Sequence, residues 1–77
     1  MTNDTKQIYW FVAIDPHNTT ITDIVETSNP YRKDGKYFTF YHDWMERSTS
    51  AGYVVVKGFK SDVTPFLKTV AKNVPIT

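Results

Sequence analysis

The run IYWFVAI, residues 8–14, sets the problem that the rest of this chain has to solve. Read as a strand, it sends Ile8, Trp10, Val12 and Ile14 to one face and Tyr9, Phe11 and Ala13 to the other. Both faces are apolar or aromatic, which is the pattern of a central strand covered on both sides rather than one facing water. Its seven residues fall far short of the roughly 20 that cross a bilayer. The folding question is therefore what supplies the two covers.

Downstream, DPHN (15–18) is a turn cluster, because proline fixes its own φ and Asp or Asn side chains imitate backbone hydrogen bonds. TTITDIVET (19–27) is rich in β-branched residues and predicts a second strand hairpinned to the first. The adjacency of Ile24 and Val25 breaks its alternation and points to a bulge or a short helical turn.

Asp34-Gly35 within KDGK reads as a type I′ hairpin turn. Pro30, which has no amide donor, then belongs to an edge strand or a bulge. KYFTFY (36–41) alternates as a strand, with Phe38 and Phe40 turned inward and Tyr37, Thr39 and Tyr41 the other way. HDWMERSTSAG (42–52) has two readings. As a short helix it is capped by Asp43, stopped by Gly52, and carries Trp44, Met45, Ser48 and Ala51 on one side. As a strand continuation it leads into residue 53 through STSAG; the Met-Glu-Arg centre favours the helix.

YVVVKGF (53–59) predicts a further strand. SDVTPFLKTVAKN then gives the clearest helical period, with Val63, Phe66, Leu67, Val70 and Ala71 forming an apolar stripe. Thr64 is the expected cap and Pro65 the expected first-turn residue. The whole is an α+β domain: a small antiparallel sheet of three or four strands, a C-terminal amphipathic helix on one face, and a second short helix at 43–51. The C-terminal helix covers one side of residues 8–14. Either the short helix or a partner must cover the other.

With 77 residues and no cysteine, the chain is expected to form one domain, ordered from about 6 to 73, with a core built by packing alone. Five Phe, five Tyr and two Trp are the natural material for that core. Nine basic against eight acidic residues mark the chain neither as a general polyanion binder nor as an acidic mimic of one. Lys57, Lys60, Lys68 and Lys72 against Asp62 make the C-terminal end mildly basic, as a solvated helix face often is. The polar start MTNDTKQ lacks the layout of a signal peptide. A complete cytoplasmic protein without membrane contact is the expectation.

Catalytic and metal chemistry find little to work with. His17 and His42 each have one nearby Asp, too few ligands for a structural zinc site. Ser48, Thr49 and Ser50 near His42 lack a nucleophile elbow, and Gly35, Gly52 and Gly58 make no phosphate loop. No enzyme, cofactor or metal is therefore expected.

What the sequence offers instead is a cluster of Tyr31, Arg32, Lys33, Lys36, Tyr37, Tyr41 and Trp44 along one hairpin and its exit. Tyr, Trp and Arg are enriched in interface hot spots. The expectation is a small non-catalytic protein that binds another protein, or a second copy of itself, through this hairpin. It would act as an inhibitor or modulator of a larger complex, of the kind small phage or mobile-element genes encode. The alternative is single-stranded nucleic acid, with the tyrosines stacking bases and the cations meeting phosphates.

Overall fold

In the computed structural model, which describes residues 8–74, the strand read from residues 8–14 runs Tyr9–Asp15 (β1) at the centre of a three-stranded sheet. β2 (Thr20–Thr27) and β3 (Val54–Phe59) flank it, both antiparallel to it. Two helices complete an α+β domain, α1 at Thr39–Ser50 and α2 at Lys60–Val70. The expected ordered start at residue 6 lies outside the described residues, as do the polar first residues.

Each face of β1 has its own cover. Trp10, Val12 and Ile14 pack with Val63 and Leu67 of α2, with Ile21, Ile24 and Val56 around them. Tyr9, Phe11 and Ala13 pack with Trp44 of α1, ringed by Val25, Tyr37, Tyr41, Met45, Tyr53 and Val55. This division satisfies both apolar faces of the run without a partner, and it keeps α1 and α2 on opposite sides of the sheet. Trp10 also places its indole N–H on Glu26 Oε1 at 2.9 Å, and Lys60 Nζ lies 5.3 Å from its ring centroid.

The second strand does bulge, but at Thr22 and not at Ile24–Val25, whose side chains alternate onto the two faces of the sheet. Ala13 pairs with Asp23 and Ile14 with Ile21, so Thr22 is the extra residue. The insertion returns Ile21 to the same face as Ile24, although they are three apart, and both join the α2-side core. The turn before β2 closes as its residue types imply: Asp15 accepts from the His17 N–H at 2.9 Å and from Asn18 Nδ2 at 3.1 Å.

Several features depart from the sequence reading. Residues 36–41 do not form a strand. The ladder there is one bridge, Tyr31 with Tyr37, and α1 begins at Thr39, four residues before the expected cap Asp43. The Asp34-Gly35 turn is not type I′, because Gly35 alone takes positive φ (+86°); the Gly35 N–H donates to Arg32 O and the Arg32 N–H to Lys36 O. That is a three-residue loop ending in a left-handed glycine. Pro30 lies outside every strand and is buried. Finally, α2 starts at Lys60, leaving Pro65 inside the helix, and Thr64 bonds the Lys60 carbonyl rather than capping. Phe66, expected on the buried stripe, is exposed.

The two edges of the sheet differ. At the start of β2, Asn73 accepts from the Ile21 N–H (2.7 Å) and donates to the Ile21 carbonyl (3.0 Å), while the Lys72 N–H donates to Thr19 O. The residues after α2 thus occupy part of that edge. Among the described residues no strand pairs with the outer edge of β3. No helix among them is long and apolar enough to cross a membrane.

Candidate functional site

The side chains grouped on the hairpin by sequence separate into an inner and an outer set. Trp44 is 6% exposed, its ring edge-on to Phe11 and its indole N–H on Asp23 Oδ2 at 2.8 Å. Tyr41 is half-buried and stacks on Phe11, centroids 4.6 Å apart and planes 8° from parallel. Tyr37 is also half-buried, with its hydroxyl 2.6 Å from that of Tyr9. These three are core. Arg32, Lys33 and Lys36 are exposed, and Arg32 meets Asp34 at 3.3 Å.

Phe38 and Phe40, expected inside, are on the surface at 41% and 56% exposure, beside Tyr31 at 42%. The inversion has a simple cause. Residues 39–50 are helical, so the inward stripe is Tyr41, Trp44, Met45 and Ser48, at i, i+3, i+4 and i+7, and Phe40 falls on the far side. The same stripe is present in the sequence and carries the helical period back to Tyr41, although it does not mark the start at Thr39.

Tyr31, Arg32, Lys33, Phe38 and Phe40, together with Asn29, Asp34 and Thr39, line an open groove of about 850 Å³. The hairpin loop forms one wall and the first turn of α1 the other. Tyr31 is fixed by stacking on Tyr37, centroids 5.1 Å apart at 12°. Phe38 and Phe40 each meet the Tyr41 ring edge-on. Through Tyr41 and Phe11 the exposed rings are therefore continuous with the core, which limits their freedom before anything binds.

Phe38 also stands at the N-cap of α1, where no side chain supplies a cap and no acidic residue occupies the first turn. Ser, Thr, Asp or Asn there would satisfy a free helix N–H. Phe38→Asp is accordingly expected to stabilise the fold by about 1 kcal/mol, through the cap and the helix dipole. A higher urea midpoint checks it.

Beneath the groove, Tyr9 is 6% exposed. Burial, followed by the hydroxyls of Tyr37 and Tyr31, pushes its phenol far above the ordinary value of 10.0. Tyr37 is raised as well, chiefly by burial. In the unfolded chain these phenols ionise near pH ~10. The folded chain keeps protons that the unfolded chain releases above that pH. Stability is thus fully present below about pH 10 and declines above it. The expected slope is up to about 1.4 kcal/mol per pH unit for each such tyrosine. Urea melts across this range check it, and Tyr9→Phe should flatten the alkaline limb.

Elsewhere, His17 is exposed in the turn before β2 and His42 is exposed on α1. Among the described residues no three His, Asp or Glu side chains are grouped to hold a metal ion. Comparison of the chain with protein-family models, curated proteins and solved structures finds no match.

Proposed function

We propose that this protein is a non-catalytic binding module whose groove between the 31–37 hairpin and the start of α1 receives a segment of another protein. One observation carries the reading: Tyr31, Phe38 and Phe40 are exposed together on one concave surface. Tyr31 packs on Tyr37 and Tyr9, but folding alone does not account for Phe38 and Phe40. Phe40 adds little to the core, and Phe38 occupies a cap position better served by a polar side chain. Exposed aromatics held rigidly beside cations are the composition of interface hot spots, with the charged residues as their rim. The action would be steric, the bound module occluding a site on a larger complex as an inhibitor or modulator does.

The test is photocrosslinking from residue 40. A protein bearing a benzophenone amino acid there should capture a discrete partner from cells that naturally make it. Capture should fall at least about tenfold in Tyr31→Ala. Phe38→Ala and Phe40→Ala, with the crosslinker moved to residue 33, should lose capture while their urea midpoints stay within about 0.5 kcal/mol of the wild type. A full yield from those variants would sink the assignment.

A second reading, association with another copy of the chain, is favoured by the outer edge of β3. Among the described residues that edge has no strand neighbour, and it carries the exposed side chains of Val54 and Phe59. Light scattering should then give a dimer mass that Val55→Pro returns to monomer. A monomer at millimolar concentration removes this reading.

A further inference from the structure

The charge around the groove is not symmetric, and the asymmetry says what kind of segment fits. Arg32 and Lys33 line the groove and Lys36 lies on the same loop. The one acidic residue among them, Asp34, is already engaged, by Arg32 at 3.3 Å and by the Lys36 N–H at 3.1 Å. The loop thus presents a net positive charge. The next acidic residues along the chain, Asp43 and Glu46 on α1, line a separate surface with His42 and Met45.

We propose that the groove selects a peptide segment in which an aromatic or long aliphatic residue is flanked by carboxylates. This rests on the protein-binding reading above and adds the chemistry of the partner. The apolar residue lies against Phe38, Phe40 and Tyr31. The carboxylates meet Lys33 and Lys36 and compete with Asp34 for Arg32, whose guanidinium is half-exposed and has donors to spare. The acidic end of the segment faces the basic loop rather than the Asp43–Glu46 surface of α1. Single-stranded nucleic acid shares the anionic and stacking character but carries a phosphate at every step. Two lining cations, one already paired, match a few carboxylates better than a continuous phosphate track.

Selection of random dodecapeptides by display against the wild-type protein tests this, with counter-selection on Phe38→Ala/Phe40→Ala. Groove-dependent sequences should carry Trp, Phe or Leu next to Asp or Glu. Their affinity should fall about tenfold or more between low and high salt, as for exposed charge pairs. Selection on Arg32→Glu/Lys33→Glu should reverse the charge of the winners. Winners that are neutral or basic on the wild type, or the absence of any groove-dependent winner, overturns the proposal. So does a thymidine dodecamer that binds the groove more tightly than the best peptide. The two readings fail separately. If residue 40 captures a protein partner and Arg32→Glu/Lys33→Glu captures it equally well, the groove binds protein but not by this chemistry.

Discussion

Phe11→Ala is expected to cost about 3–5 kcal/mol, among the largest losses from any single truncation in this chain. A domain of 77 residues has a total stability of about 4–12 kcal/mol, at 0.05–0.15 kcal/mol per residue. The variant should therefore lose a large share of its stability, and it is partly or wholly unfolded at 25 °C where the wild-type total lies at the low end of that range. Phe11 is fully buried and lies at the junction of sheet and helix. Its ring stacks on Tyr41, is edge-on to Tyr37 and Trp44, and is tilted against Tyr9. Removing it leaves a cavity between β1 and α1 whose walls are themselves large rings, and such rings cannot collapse inward without leaving their own partners. Circular dichroism against urea measures the loss. Phe11→Leu, which refills most of the volume, should recover more than half of it.

That β1 would be central was legible because seven consecutive core-type residues leave no solvent face. β2, β3 and the body of α2 followed from β-branched runs and a clear helical period. The starts of both helices were not legible, and for the same reason. α1 begins after Phe38 and α2 after Phe59, and neither phenylalanine is a capping residue. Better capping residues nearby, Asp43 and Thr64, drew the caps five residues too late. In residues 36–41 the alternation of aromatic and polar side chains fits a strand. A strand there would have left Tyr9 and Phe11 without their cover. Tertiary demand decided the matter: α1, started early, places Tyr41 and Trp44 on Phe11. The candidate site moved accordingly. Tyr31, Arg32, Lys33 and Lys36 remain outside, Tyr37, Tyr41 and Trp44 are inside, and Phe38 and Phe40 take their place.

Trp44→Ala separates the structural role of the hairpin exit from its surface role. Trp44 anchors the middle of α1 to Phe11, and its indole N–H reaches across to Asp23 on β2. Truncation should cost about 3–5 kcal/mol, and it acts on the element that carries one wall of the groove. Partner capture should therefore fall together with the melting transition. Phe40→Ala should lose capture with stability intact. The discriminating variant is Trp44→Phe, which keeps a ring in the pocket and removes the N–H. One lost hydrogen bond to an exposed carboxylate costs about 1 kcal/mol, so the fold should persist. If Trp44 serves only to hold α1 on the sheet, this variant captures the partner at the wild-type level. Loss of capture by a folded Trp44→Phe protein would mean that the indole itself reaches the partner. The groove as drawn from Tyr31, Phe38 and Phe40 would then be only part of the surface.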